Sequence, residues 1–226
     1  MASLKTTHRW CVAPNNFDLE SELAVGLSVA PLVARIMVAH GITSVEEGQR
    51  FLTPSLERDW ADPLIIPGMR EVADRVERAV RTHEPIAVFG DFDVDGITST
   101  CLLTEALRRL GAQVCPFIPR RFDEGYGLTE NALDRVIEAC SPSLIITVDN
   151  GIAARNEVVH LLERGIDIVV TDHHEPADLV PQGIPVADPK IAAEGPSREL
   201  AGAGVALKLV QVLGERLGAP DLWRTY

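Results

Sequence analysis

From Pro85 onward, short runs of apolar and often β-branched residues alternate with longer stretches whose apolar positions recur at helical spacing. "IAVFG" precedes "TSTCLLTEALRRLG", and "QVCPFI" precedes "TENALDRVIEAC". "SLIITV" precedes "NEVVHLLERG", and "IDIVV" and "IPVAD" precede "GVALKLVQVLGERLG". Continuous apolar runs separated by amphipathic stretches predict βαβ units, hence a parallel sheet covered on both faces. Before Pro85 the pattern is helical apart from a proline-rich linker, "TPSLERDWADPLIIP". "SELAVGLSVAPLVARIMVAHG" reads as one or two helices ending at Gly41, and "TSVEEGQRFL" opens with a capping-box pattern. In "GMREVADRVERAVRTH", Met69, Val72, Val76 and Val80 lie on one helical face with charges between them. The expectation is an α/β protein, a parallel β-sheet flanked by helices over 85–226, preceded by a helical N-terminal region over 1–84.

The polar residues that interrupt this pattern fall at the carboxyl ends of the predicted strands, where α/β sheets bind their ligands. Asp91, Asp93 and Asp95 follow "IAVFG", Asp149 follows "LIITV", and Asp172, His173 and His174 follow "IVVT". Taken singly, each has a bland explanation: a helix cap, a solvated loop, a surface histidine pair. Together they bring four or more carboxylates and one or two imidazoles to one rim. Oxygen-rich sets with few imidazoles suit Mn²⁺ or Mg²⁺ better than Zn²⁺. Two such ions offset the repulsion among the aspartates and promote in-line phosphoryl displacement, so hydrolysis of a phosphate ester or anhydride is the natural reaction class.

Charge and cysteine usage narrow the picture further. A net charge of −12 over 226 residues argues against a nucleic-acid coat protein with a basic surface, but not against a nucleic-acid enzyme whose acidic groups hold cations. Cys11, Cys101, Cys115 and Cys140 are scattered without a CxxC, so neither a disulfide framework nor a structural zinc is expected, and a reducing, cytoplasmic setting fits. The N-terminus lacks the apolar core of a secretory signal. The run Leu23 to Ala34 is broken by Pro31 and falls short of the ~20 residues a membrane helix needs, so no membrane association is expected.

"VFGDFDVDGITST", "ITVDNGI" and "VVTDHHEP", in this order, resemble the first three motifs of the DHH phosphoesterase superfamily, named for a triplet seen here as Asp172-His173-His174. "FIPRRFDEGYGL", "ADPK…LAGAGVALKLV" and the N-terminal segments "LVARIMVAHGITSVEEGQRFLTPSL" and "DPLIIPGM" resemble its RecJ branch, single-strand-specific 5′→3′ DNA exonucleases. The resemblance implies that Asp91, Asp93, Asp95, Asp149 and His173 hold two Mn²⁺ or Mg²⁺ ions, with Asp149 between them. It implies His174 against the scissile phosphate and Asp172 orienting the histidines. It further implies Arg121 on a DNA phosphate, Tyr126 stacked on a base in a loop shaped by Gly125 and Gly127, and Gly202, Ala203 and Gly204 admitting phosphate to backbone N–H groups. Single-stranded DNA is the implied substrate, with single-strand-binding protein and a helicase as partners in recombination and mismatch repair.

Two departures stand out. Asp188 lies where such sequences often carry Asn. The resemblance implies that relatives continue past a segment like "LGAPDLWRTY" into another aspartate-bearing strand and a further domain, so an N-terminal portion with an incomplete metal shell and weak or absent activity is expected. Three alternatives compete. A haloacid-dehalogenase-type phosphatase would use Asp93 as nucleophile but needs a lysine, and the chain has only Lys5, Lys190 and Lys208. The others are a DHH hydrolase of short oligonucleotides, cyclic dinucleotides or pyrophosphate, and a non-catalytic scaffold subunit.

Overall fold

The computed structural model describes residues 11–120, 127–176, 178 and 180–226. The chain divides into two compact units, Met1–Trp60 and Ala61–Tyr226. In the first, α1 (Phe17–Gly26), α2 (Pro31–Ala39) and α3 (Val45–Leu52) are followed by a short α4 (Leu56–Asp59). Pro31, which interrupts the apolar run, starts α2, where its missing N–H costs nothing. Ser44 caps α3 by accepting from Glu47 N–H at 3.2 Å, and Glu47 reaches back to Thr43 N–H at 2.8 Å. Leu23, Ala34 and Met37 form this unit's small core. Among the described residues, no single helix is long and apolar enough to cross a membrane.

The second unit contains α5 (Met69–Arg81), β1 (Ile86–Phe89), α6 (Val94–Arg109), β2 (Val114–Phe117), α7 (Glu130–Cys140), β3 (Leu144–Val148), α8 (Arg155–Glu163), β4 (Asp167–Thr171), β5 (Val186–Ala187) and α9 (Gly202–Arg216). The strands form one parallel sheet in the order β2-β1-β3-β4-β5. Ala87, Phe89, Ile145 and Ile168 pack with Leu133 and Val136 of α7 and Val158 and Leu161 of α8. Helices α5, α6 and α9 pack together and against the sheet. Strands β1 and β3 are buried along their whole length, which is why they read as unbroken apolar runs rather than as alternation. Chain order reverses between β1 and β3, creating the crevice at which such sheets bind ligands.

Two expectations change. Helix α5 belongs with the sheet rather than with an N-terminal region ending at 84. Its fully buried Val72, Ala73 and Val76 face α9, β4 and β5, so the amphipathic pattern records burial within the second unit. The cysteines also do not all stay apart: Cys115 of β2 and Cys140 at the end of α7 form a disulfide, their Cα atoms 5.9 Å apart. Their 25-residue separation hid the pairing, which the β2–α7 fold-back creates.

Gly68 shows how tightly the second unit closes. Its φ is +75°, and a Cβ there would lie 1.8 Å from the Val186 carbonyl oxygen of β5. Gly183 has a similar φ of +78° but open space around it. Gly183→Ala should therefore cost only the backbone penalty, roughly 1–2 kcal/mol. Gly68→Ala adds a clash with strand backbone and should cost upward of about 4 kcal/mol. Urea unfolding of the two variants side by side measures the difference.

Candidate metal centre

The sheet's register builds the site. Phe89 pairs with Thr147, Thr147 with Val170, and Val170 with Val186. Two residues beyond each stand Asp91, Asp149, Asp172 and Asp188, so four neighbouring strands end in one row of aspartates. All four are at most 2 % exposed. The ladder continues into the row, with Asp149 N–H donating to Thr171 O at 3.1 Å and Asp172 N–H to Ala187 O at 3.0 Å.

Beyond β1 the chain turns at once into α6, which begins at Val94, earlier than its apolar pattern suggests. Asp91 alone of the first triplet directly extends the strand row. Asp93 caps α6, accepting from Gly96 N–H at 2.9 Å, and Asp95 lies in the first turn. Gly96 permits this fold-back, since a Cβ there would lie 2.5–2.6 Å from Asp91 backbone. The helix N-terminus tolerates the carboxylates electrostatically.

Asp149 has a left-handed backbone, φ +59°, which is uncommon outside glycine and is found at sites where surrounding structure imposes it. The following Gly151, φ +108°, turns the chain so that Ile152 N–H donates to Asp172 Oδ2 at 2.9 Å. Asp172 Oδ1 accepts from His173 N–H at 2.7 Å and lies 2.7 Å from His174 Nδ1. Burial pushes the Asp172 carboxyl up, but these hydrogen bonds outweigh it and leave its pKa below the ordinary value. The ionised carboxylate fixes the proton on His174 Nδ1, leaving Nε2 available, and holds the His174 pKa up at about 9. His174 lines a cavity of about 390 Å³ together with Gly127, Asn150, Asp172 and Glu175.

Two groups of ligand-type atoms converge, each within 4.8 Å: Asp91, Asp93 and Asp149, and Asp149, His173 and His174. Asp149 belongs to both. His173 Nε2 lies 3.0 Å from Asp149 Oδ1, the separation of about 3 Å expected between adjacent ligands of an octahedral ion with bonds of ~2.1 Å. Burial raises the Asp149 pKa, and the Asp149 contact raises that of His173. The donor set fits hard divalent ions. Asp91, Asp93, Asp149 and His173 would hold such ions, with His174 at the edge.

Asp95 differs from the expectation. Both its oxygens accept backbone N–H groups at the start of α9, from Gly202 at 2.7 Å and Ala203 at 2.8 Å, and it faces His173 Nε2 at 3.4 Å. It clamps α9 to the centre and lies outside both converging groups. Those two N–H groups are therefore occupied, which takes Gly202 and Ala203 out of the expected phosphate cradle. Gly202 is required because a Cβ would lie 2.7 Å from the Asp149 side chain, while Gly204 packs against Leu200. Gly127 lies on the cavity wall. Arg121, Gly125 and Tyr126 lie outside the described residues.

The sequence pattern did not place Asp188 in the site, yet it is the fourth member of the row. "IPVAD" repeats the strand-then-Asp pattern and was the available signal. Asp188 Oδ1 accepts from Lys190 N–H at 2.7 Å, whereas buried Oδ2 has no hydrogen-bond partner. Burial, reinforced by neighbouring Asp172, pushes the Asp188 carboxyl up to about 6. The dehalogenase-type alternative lacks its lysine among the described residues: Lys190 faces Glu175, and Lys208 reaches Ala61 O.

Fold and site together define the class, a doubly wound parallel sheet with a carboxylate–imidazole centre on its carboxyl edge. The chain belongs to the DHH family, whose N-terminal domain matches residues 85–223. It is 41% identical over 211 residues to the single-stranded-DNA-specific exonuclease RecJ of Bacillus subtilis, covering 93% of this chain and 27% of that protein. The RecJ of Thermus thermophilus is 43% identical over 157 residues, covering 70% of this chain and 23% of that protein. The crystal structure of the Thermus thermophilus RecJ in complex with Mn²⁺ superposes with a TM-score of 0.66 at 34% identity, covering 94% of this chain and 30% of that one. The chain thus spans about a quarter of the length of these curated relatives.

Asp188 yields a pH dependence in metal-free protein. Its folded pKa, about 6, lies above the ordinary 3.8, so its contribution is fully present below pH ~4 and is lost as pH rises through 6. Asp188→Asn removes this loss. In EDTA-treated protein the variant should be the more stable at pH 7 by on the order of 2 kcal/mol, with the difference vanishing near pH 4, as read by urea unfolding across pH.

Proposed function

We propose that this chain carries the metal centre of a RecJ-type exonuclease that degrades single-stranded DNA from the 5′ end, using two Mn²⁺ or Mg²⁺ ions and releasing 5′-mononucleotides. The observation that carries this reading is the sharing of Asp149 between two converging ligand groups, one formed with Asp91 and Asp93 and the other with the histidine pair. A non-catalytic scaffold has no use for such a concentration of buried carboxylates. The similarity to RecJ proteins across most of the chain supports single-stranded DNA as substrate.

When bound, the ions supply positive charge to the phosphate and a hydroxide near neutral pH. The chain's own residues do the rest. Asp172 holds His174 so that Nε2 meets a non-bridging phosphate oxygen. The Asp149–Gly151 turn and the α6 cap fix the carboxylates before substrate arrives, so little reorganisation remains for the chemical step. A water oxygen bonds to phosphorus, the P–O3′ bond breaks, and the leaving 3′ oxygen takes a proton. Action beside single-strand-binding protein and a helicase, in cytoplasmic recombination and mismatch repair, completes the proposal.

Incubation with Mn²⁺ and 5′-labelled single-stranded DNA should release labelled mononucleotide slowly, with duplex DNA resistant and Asp149→Asn inactive. Release from the 3′ end, or equal attack on duplex, would refute the assignment. In calorimetry, Gly202→Ala should weaken Mn²⁺ binding by roughly 10–100-fold, the range seen when the support of a ligand is disturbed, because its Cβ displaces Asp149. Unchanged affinity would show that Asp149 is not a ligand.

A further inference from the structure

Next to His174, outside the metal-ligand groups, stands a small cationic cluster that the mechanism leaves unused. Glu175 lines the cavity beside His174. Its exposed carboxylate faces two cations, Lys190 Nζ at 3.5 Å and Arg198 Nη2 at 3.4 Å from both oxygens. The Arg198 guanidinium is fixed in place, since Nη1 donates to Lys190 O at 3.1 Å and to Ala192 O at 2.8 Å. Both cationic side chains are half-buried, at 21 % and 27 % exposed, whereas Glu175 is 67 % exposed.

We propose that Lys190 and Arg198 form a phosphate subsite for the nucleic-acid backbone at the edge of the metal centre, with the Glu175 carboxylate as the internal anion that a phosphate replaces. The inference rests on the single-stranded DNA reading and deepens it. Contacts of 3.4–3.5 Å exceed the 2.7–2.9 Å of strong charge-assisted bonds, so Glu175 is a loosely held occupant. Pairs that reach the surface at such lengths contribute little to stability. A phosphodiester offers two non-bridging oxygens that a guanidinium can bind bidentately, and the carbonyl-locked Arg198 loses little freedom in accepting it. The pair also places two cations beside the centre of a chain with net charge −12. A strand lying across a row of aspartates needs such countercharge, because the cations at the centre neutralise only the phosphate at the reacting position.

The opposite signs of two substitutions test this. The probe is fluorescein-labelled oligothymidylate with hydrolysis-resistant phosphorothioate linkages, titrated with the 226-residue chain in Mn²⁺ over a salt series and read by anisotropy. Lys190→Gln should weaken binding about three- to tenfold and flatten the log K against log salt slope by about 0.7, the value of one single-strand phosphate contact. Glu175→Gln should tighten binding about threefold by removing the competing anion. Arg198→Lys should weaken binding; Lys190 and Glu175 carry the test should loss of the Arg198 carbonyl contacts disturb the fold. Mn²⁺ uptake by calorimetry should be the same in wild type, Lys190→Gln and Glu175→Gln. Unchanged affinity in Lys190→Gln, weaker binding in Glu175→Gln, or altered Mn²⁺ uptake in either would overturn the subsite and leave a structural ion cluster. Failure of the wild-type chain to bind the probe would overturn the single-stranded DNA reading itself.

Discussion

Buried carboxylates in register are the constraint around which this protein is arranged. Two unit charges ~4.5 Å apart repel by roughly 3–4 kcal/mol at an effective dielectric of ~20. A row with several such pairs opposes folding on the scale of a domain's entire stability, about 5–15 kcal/mol. The surrounding structure disperses that cost residue by residue. Asp93 takes a helix N-terminal N–H, Asp95 takes two, and Asp172 takes three backbone N–H groups and an imidazole. Asp149 has His173 but little else, and its pKa is raised accordingly. A deficit remains at Asp188 and at Asp149, where the two ligand groups overlap and divalent cations would offset it.

The fold was legible because strands buried on both faces leave unbroken apolar runs, and parallel strands need helices between them. The chemistry was legible because an aspartate closing such a run has few structural uses, and three such endings in one chain rarely coincide by accident. Register was not legible. Which strands are neighbours and how far each extends are tertiary facts, and they alone put Asp188 level with Asp172. The same limit hid the role of Gly202. A glycine before a helix is compatible with phosphate, with packing and with a close side chain, and only the 2.7 Å approach to Asp149 decides among them.

Helix α5 and the disulfide mark the other boundary of what pattern can tell. Amphipathic periodicity shows that α5 buries a face but not against what, and Val72 and Val76 meet the sheet unit. Cysteine spacing carries no distance information across a crossover. Cys115 lies on β2 and Cys140 at the end of α7, so residues 25 apart meet covalently.

Helix α9 is fastened at both extremities. Its first N–H groups are gripped by Asp95, and its final turn is held by Arg216 to Asp74 and Glu77 of α5, with Arg81 donating to Arg216 O. Fifteen residues make a rod about 22 Å long. Such a rod, pinned at each tip, cannot slide when ions arrive and the carboxylates re-aim. A shift of the carboxylates would then be taken up at its near tip, in the Ala201–Gly202 peptide, rather than passed along the helix to α5.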